Sequence, residues 1–109
     1  MTSLSFEEWQ KVEIRIAEIL SAEKVPDADK LLKLEVDLGG QKRQLVAGIA
    51  GEYSPEDIIG KKIPMLVNLE PKRIRGIESQ GMILAATDGN GKPVLMHPDR
   101  EIPAGSKVR

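Results

Sequence analysis

A strict alternation of apolar and polar residues, closed by a pair of glycines, is the feature that most constrains the fold of this chain. From Leu32 to Leu38 every second residue is Leu or Val, and the residues between them are Lys, Glu and Asp. A period of two is typical of a β-strand with one buried face. Gly39-Gly40 then supplies the positive φ angles that a tight hairpin needs. The chain is therefore expected to build an antiparallel sheet around this hairpin.

Other segments carry weaker strand and turn signals. Alternation after Lys11 predicts a first strand with Val12, Ile14 and Ile16 on one face, and its slip at Ala17-Glu18 predicts a bulge. Turn chemistry at residues 25–29 separates this strand from the second. The remaining predicted elements are a third strand at residues 44–47, a fourth at residues 62–67 in which Pro64 indicates an edge or a bulge, a fifth at residues 82–86, and a hairpin turn at residues 88–91 that returns through residues 94–96.

Two short helices complete the pattern. Ser5 and Glu8 have the spacing of a capping box, which predicts a helix to about Gln10. A second helix is predicted after Ser54, with Pro55 first and Asp57 completing another capping box. Five strands with a helix between the third and fourth match the oligonucleotide/oligosaccharide-binding (OB) barrel. We therefore predict an all-β fold with short helices, a five-stranded OB-fold barrel, built by residues 1–109 as a single domain.

Composition and motifs exclude several function classes. The absence of cysteine excludes disulfides, thiolate nucleophiles and Cys-based zinc sites. The one histidine, His97, ends a strand with no evident catalytic partner, so a structural or interfacial role is favoured. Metal-ligand spacing and a phosphate-binding loop motif are also missing, and we predict no metal, no cofactor and no catalysis by this chain alone. With no signal peptide or membrane-length apolar run, the prediction is a cytoplasmic protein with no membrane partner.

Positive charge is concentrated in one part of the chain. The formal net charge is −1, yet residues 60–76 carry five basic side chains against Glu70 alone. Most of this charge falls in the basic segment, residues 68–84, which lies between two apolar runs and is predicted to be a loop. Two interpretations stay open at this point: a solvated surface loop, or a binding surface for an anion such as a nucleic-acid backbone.

The aromatic residues favour one kind of nucleic acid. The chain has only Phe6, Trp9 and Tyr53, and none lies in the basic segment. Proteins that bind single strands usually stack bases on aromatic side chains, so recognition of folded RNA by shape and backbone is the better expectation. Lys42 and Arg43, in the second hairpin, extend the same surface if the barrel brings the two hairpins to one side.

The apolar side of the N-terminal helix also needs a partner. Leu4, Phe6 and Trp9 form this side, and a helix of this length does not stand alone. Two alternatives are open, which are packing on its own barrel and a subunit interface.

Four ordered signatures run through nearly the whole chain: Phe6-x-x-x-x-Lys11-Val12-Glu13-Ile14-Arg15-Ile16; Ala28-Asp29-Lys30-Leu31-Leu32-x-Leu34-x-Val36-Asp37-x-Gly39; Val46-Ala47-Gly48-Ile49; and Asn68-Leu69-x-Pro71-x-x-x-Arg75-Gly76-x-x-Ser79-x-Gly81-Met82-Ile83-Leu84. Together they resemble the structure-specific tRNA-binding barrel. That family includes the C-terminal domain of methionyl-tRNA synthetases, free-standing bacterial and archaeal proteins, and the endothelial-monocyte-activating polypeptide.

The resemblance implies a non-catalytic module that binds the outside corner of tRNA without reading an anticodon. It further implies a homodimer, acting as a C-terminal domain or auxiliary subunit of methionyl-tRNA synthetase, or as a free-standing tRNA-binding protein. The RNA contacts that it implies are Asn68, Lys72, Arg73, Arg75, Ser79 and Met82, with Lys30 and Lys33 as weaker candidates.

The family also suggests that the N-terminal helix and the C-terminal tail make the dimer. This interface would join Leu4, Phe6 and Trp9 to Met96, Pro98, Ile102 and Val108. An alternative function, from a different class, is a secretion-chaperone relative of the same fold that binds apolar segments of unfolded polypeptides.

Overall fold

The computed structural model describes residues 2–109, which fold mainly into β-structure with two short helices. In chain order the elements are α1 (Phe6–Gln10), β1 (Ile14–Val25), β2 (Ala28–Asp37), β3 (Lys42–Ala47), α2 (Pro55–Ile58), β4 (Lys62–Leu66), β5 (Lys72–Ile74), β6 (Ile77–Ser79), β7 (Met82–Ile83), β8 (Ala85–Thr87), β9 (Pro93–Leu95) and β10 (Lys107–Val108). None of the helices in this part of the chain is long and apolar enough to cross a membrane.

The main sheet is antiparallel and has the order β3-β2-β1-β4-β7, with β10 added beside the start of β1. The 12-residue β1 is shared between two partners, because its first half pairs with β4 and its second half with β2. The core lies on the inner face of β2 and β3, where Leu32, Leu34, Val36 and Leu45 are fully buried, and α2 adds Ile58. The alternation that predicted β2 is confirmed.

The predicted bulge in β1 is misplaced. The register shifts lie between Ile19 and Ser21 and between Lys24 and Val25, rather than at Ala17-Glu18. Ala17 and Ile19 both face the core, so the strand runs undisturbed through this point. Ile16 is buried outside the core cluster, where its backbone N–H donates to Ser106 O (2.9 Å) and its carbonyl accepts from Gly105 N (2.7 Å). The C-terminal tail, residues 96–109, therefore pairs along an edge of the first part of β1, which the local pattern does not reveal.

The two helix starts differ in their capping. At α1 the capping box is confirmed, since Ser5 Oγ accepts from Glu8 N (3.1 Å) and Glu8 Oε1 accepts from Ser5 N (3.3 Å). At α2 the predicted capping box is wrong, because the Ser54 side chain makes no cap hydrogen bond. The Asp57 N–H donates instead to the backbone carbonyl of Ser54 (3.1 Å).

The prediction that Pro64 marks an edge or a bulge is wrong. β4 lies between β1 and β7, and its pairing with β1 has no register shift. Proline is tolerated at this position because its cross-strand partner, Ile16, makes its backbone hydrogen bonds with the C-terminal tail. Ile16 therefore does not need the backbone N–H that Pro64 lacks. On the other side the ladder between β4 and β7 ends at Met65, so Pro64 is not required to donate a ladder hydrogen bond there.

The fifth strand is divided into two short pieces. β7 pairs with β4, whereas β8 pairs with β9 in the predicted hairpin around residues 88–91. The two ends of the main sheet are joined by single hydrogen bonds, such as Gln80 N to Gln44 O (2.9 Å), and not by a continuous ladder. The architecture has the strand order of an OB fold, and full closure of its barrel stays a prediction.

Candidate nucleic-acid interface

The basic segment contains a β-hairpin rather than the predicted loop. β5 and β6 pair from Lys72 with Ser79 to Ile74 with Ile77. The two turn residues, Arg75 and Gly76, have φ angles of 53° and 81°. Positive φ at both central positions is the mark of a type I′ turn, the connection that matches the twist of paired strands. We call residues 72–79 the basic hairpin.

Arg75 stands at the tip of the basic hairpin in a conformation that non-glycine residues rarely adopt. The left-handed region costs an L-residue about 1–2 kcal/mol, and backbone outliers of this kind cluster at functional sites. Arg73 braces the turn, because its Nη1 donates to Gly76 O (2.8 Å). Lys72, Arg73 and Arg75 are all exposed, and one carboxylate, Glu78, faces Arg73 across the hairpin.

Met82 lies on the surface, three residues beyond the basic hairpin in the sequence. Its side chain is 46% exposed although it opens a strand whose partner, Leu66, is half-buried. An apolar residue at such a position is usually part of a core. The exposure is therefore compatible with the RNA contact that the family resemblance implies.

Ser79 has a structural role that the sequence did not reveal. Its side chain is 5% exposed, and its Oγ accepts from Val46 N (3.1 Å) and donates to Gly81 O (3.2 Å). These two bonds fix the basic hairpin against β3. The predicted RNA contact of Ser79 does not fit this position, because the hydroxyl is buried and already bonded within the protein.

Ser79→Ala is expected to lower the free energy of unfolding by about 1–3 kcal/mol, because it leaves the buried Val46 N–H without its acceptor. Urea unfolding measures this change, and Ser21→Ala, at an exposed position of β1, is the matched control. Binding of RNA by the fully folded variant should stay within about twofold of the parent. Unchanged stability together with weaker binding would instead identify Ser79 as a contact residue.

Arg43 and Lys42 are adjacent on β3 but point to different faces. The half-buried Arg43 donates from Nη1 to Val67 O (2.5 Å) and Gln80 O (3.4 Å), so it braces the junction between β3, β4 and β6. Lys42 is exposed and pairs with Asp37 on the outer face. Gln44 Nε2 donates to Glu78 O (3.1 Å), which places β3 directly beside the basic hairpin.

Asn68 also directs its polar groups toward the protein. Its Oδ1 accepts from Glu13 N (2.9 Å), and its Nδ2 donates to Lys11 O. The side chain thus holds the link between α1 and β1 at the entrance to the basic segment. We assign Asn68 first to this joint, and its contact with RNA stays a prediction.

The two weaker candidates lie on β2. Lys30 is exposed, and its carbonyl accepts from Ala50 N (3.0 Å). Lys33 is more restricted, because its Nζ lies 3.5 Å from Glu23 Oε1 in a salt bridge. An anion would have to compete with Glu23 for Lys33.

Comparisons with known proteins agree with this geometry. The sequence profile of the family described as "Putative tRNA binding domain" matches residues 14–107. The chain belongs to this tRNA-binding domain family. Within residues 2–109, no three metal-ligating side chains lie together in one group.

The tRNA-binding domain is similar to parts of larger enzymes and to small proteins. A methionine-tRNA ligase from Methanococcus aeolicus is 48% identical over 108 residues, which are 99% of this chain and 16% of that ligase. The chain thus spans about one sixth of the length of such ligases. A MetRS related protein from Pyrococcus horikoshii has 38% identity and a TM-score of 0.94, with 100% of both chains covered. The chaperone CsaA from Bacillus anthracis has 34% identity and a TM-score of 0.90, covering 99% and 100%.

Positive charge that is contiguous in the sequence is divided in the folded domain. Lys62 begins β4, whereas the basic hairpin follows the other end of that strand. Lys62 Nζ binds Glu101 Oε1 (2.5 Å) and Ile102 O (2.7 Å), and this hydrogen bond and charge lower the pKa of the Glu101 carboxyl. Lys62 therefore anchors the C-terminal tail, and its charge lies apart from the basic hairpin.

The predicted interface residues form two groups along the tail side of the domain. Phe6, Trp9 and Val108 line one groove beside α1, where β10 pairs with Ile14. Phe6 is 71% exposed and Leu4 61%, whereas Trp9 is half-buried, so much of the apolar side at α1 stays open. The second group, Met96, Pro98 and Ile102, lies toward the Lys62 end of the tail, and Pro98 and Ile102 line a separate cleft there.

His97 and Tyr53 have structural contacts in the tRNA-binding domain. His97 Nδ1 lies 2.9 Å from Lys62 O, where the ring nitrogen donates to the carbonyl. The Tyr53 hydroxyl accepts from Leu95 N (3.0 Å) and so ties the α2 region to β9. The His97 contact agrees with the structural role that the sequence favours for this residue.

Proposed function

We propose that this domain binds the outer corner of folded tRNA through the basic hairpin, by contacts to backbone and shape. It supplies affinity in the cytoplasm, either as a domain or auxiliary subunit of a methionyl-tRNA synthetase or as a free-standing binding protein. The observation that carries this proposal is the type I′ hairpin, with Arg75 at its tip and exposed Lys72 and Arg73 behind it.

The chemistry of the hairpin suits phosphate. Arg73 and Arg75 offer guanidinium forks that bind phosphate oxygens bidentately, and Lys72 offers a compact charge. Lys42, Met82 and Lys30 are exposed and are the further proposed contacts. Of the aromatic residues, Tyr53 is bonded to Leu95, and Phe6 and Trp9 lie by the tail. Backbone and shape recognition therefore fits the surface better than stacking of single-stranded bases.

Binding of tRNA is expected to weaken steeply with salt, since each phosphate that the protein neutralises releases counterions. With three to four contacts, log Kd should rise against log salt with a slope of about 2 to 4. Filter binding of mixed tRNA across a KCl series measures the slope, and a sucrose series of equal osmolality is the control. Absent binding, or binding that salt does not change, would contradict the proposal.

The domain is further proposed to act as a homodimer through α1 and the tail. A second copy of this chain is proposed to pack against α1 and the tail, because a two-fold interface would bury Phe6 and Leu4 of both chains. Two patches of basic charge on one dimer would raise affinity for a single tRNA if both engage it. A methionyl-tRNA synthetase catalytic chain is the other proposed partner, and co-purification of that chain would test it.

Phe6→Ser is expected to raise the dimer dissociation constant by about a hundredfold or more. Burying a Phe side chain is worth roughly 1.5–3 kcal/mol, and a two-fold interface loses it twice. Sedimentation equilibrium measures the constant. Ile59→Ser, at another exposed apolar position, is the matched control and should leave it unchanged. A parent protein that is monomeric at all concentrations would refute the dimer.

A second candidate function rests on the similarity to chaperone CsaA. In this alternative the apolar grooves at α1 and the tail bind unfolded polypeptide segments. The basic hairpin argues against it, because such a groove needs exposed apolar area more than positive charge. An unfolded apolar peptide that displaces tRNA from the domain would favour this candidate, and independent binding of both ligands would not.

A further inference from the structure

The outer face of the three-stranded sheet β1–β2–β3 carries mainly negative charge. Leu34 and Val36 point into the core, so their neighbours on β2 point outward. The carboxylates on this face, which we call the acidic face, are Glu18, Glu23, Glu35 and Asp37, against the two ammonium groups of Lys33 and Lys42.

Cross-strand ion pairing does not account for every carboxylate on this face. Glu18 lies opposite Asp37, but each also has a cation as its other cross-strand neighbour, Lys62 for Glu18 and Lys42 for Asp37. Asp37 has a local reason, since its Oδ1 accepts from Gly40 N (2.8 Å) in the hairpin turn. Glu35 lies between the uncharged Ser21 and Gln44, so its charge is not matched by a cross-strand cation.

The acidic face runs directly into the basic hairpin. One row of neighbours crosses four strands from Lys33 through Val46 and Ser79 to Lys72. The next row goes from Glu35 through Gln44 and Glu78 to Arg73. The second row has a carboxylate, Glu35, at its sheet end and Arg73 at its hairpin end. The first row has a lysine at each end, but Glu23 neutralises Lys33, its Oε1 lying 3.5 Å from the ammonium group.

We propose that Glu23 and Glu35 are specificity determinants that keep single-stranded nucleic acid off this sheet. OB folds commonly bind extended oligonucleotides across strands 2 and 3, in a positively charged groove with aromatic platforms. Here the same face carries carboxylates and has no aromatic residue on β1, β2 or β3. A flexible single strand that contacts the hairpin is drawn toward the sheet and meets these charges. A stiff folded RNA touches the protruding hairpin alone and avoids them.

We therefore expect Glu23 and Glu35 to weaken binding of single-stranded nucleic acid and to have little effect on binding of folded RNA. In water, repulsion between two like charges about 4 Å apart weakens binding by roughly a factor of five, and salt reduces this effect. Removing both carboxylates should thus tighten binding of a single strand by about five- to twentyfold. Binding of folded tRNA should change by less than about twofold. This inference rests on the proposed tRNA-binding function.

The test compares the double variant Glu23→Gln/Glu35→Gln with the parent at one moderate salt concentration. Two probes are used, which are folded tRNA and an unstructured 20-nucleotide polyuridylate. The control variant Glu56→Gln/Asp57→Asn makes the same charge change on α2, where both side chains are exposed. Adding Lys33→Ala to the double variant should remove part of the gain in affinity for polyuridylate. Without Glu23 the ammonium group of Lys33 is free to bind a phosphate, and it contributes part of that gain.

The outcomes separate the two claims. A selective gain for polyuridylate supports the proposal. An unchanged polyuridylate affinity, or an equal gain for both probes, overturns it, since an equal gain reflects only total charge. If the parent does not bind tRNA, the proposed function fails, and the polyuridylate comparison between variant and control still decides whether the acidic face excludes single strands.

Discussion

Gly105→Ala should lower the free energy of unfolding by about 2–5 kcal/mol, the largest effect we expect from so small a change. Gly105 has a φ of +91°, and a Cβ placed on it would lie 2.5 Å from the carbonyl oxygen of Leu38. Gly39 is in the reciprocal position, because a Cβ there would lie 2.6 Å from Ala104 O. The cost combines left-handed strain of about 1–2 kcal/mol with overpacking of about 1–3 kcal/mol.

Urea unfolding of Gly105→Ala measures this loss, and Gly60→Ala is its control. Gly60 has nearly the same φ, +87°, but a Cβ on it would meet no atom within 4 Å. The control therefore carries only the conformational strain, about 1–2 kcal/mol. Equal losses in the two variants would show that the contact between the tail and the β2–β3 turn is unimportant for stability.

Lys72→Ala/Arg75→Ala should weaken binding of tRNA by about a hundredfold at low salt. Hydrogen bonds to charged groups are worth roughly 1.5–3 kcal/mol each, and every 1.4 kcal/mol is tenfold in affinity. The salt slope should also fall by about 1 for each phosphate that the variant no longer neutralises. Filter binding with several purified tRNAs measures both quantities, and the decrease in affinity should be similar for all of them because the protein binds their backbone.

Lys61→Ala/Arg100→Ala is the matched control for this double variant. It removes the same charge from exposed residues that line a cleft at the other end of β4. We expect this control variant to lower the affinity for tRNA by less than about threefold, through a general electrostatic effect. Equal decreases in the two double variants would mean that net charge, and not the basic hairpin, provides affinity. A decrease confined to one tRNA species would contradict recognition by shape.

The elements that were predicted correctly are those whose signals are local. The period of two from Leu32 to Leu38 and the Ser5–Glu8 capping box depend on residues close in sequence, and both are confirmed. The bulge in β1 was misplaced because Ile16 is buried by a tail some 90 residues away. Pattern reasoning in a short window does not detect such a partner.

The basic hairpin was missed for a different reason. Arg75-Gly76 is not among the Asn-Gly or Asp-Gly pairs that mark type I′ turns, and strands of three residues are too short to show alternation. The family signature located this segment but did not separate its residues by role. Ser79 and Asn68 stand within the same signature as Arg75, yet their side chains bond to the protein. Side-chain burial and hydrogen-bond partners separate the structural residues of the signature from its exposed basic ones, and both are known only from the folded structure.

The pairing of β10 with β1 has a consequence for the order of assembly. It joins residue 14 to residue 108, whereas the β1–β2 and β2–β3 hairpins join residues close in sequence. Closing so long a loop carries a larger entropic cost than closing either hairpin, and contacts of high sequence separation slow folding. Until residues 105–108 pair with it, the first half of β1 therefore has an open edge on the tail side.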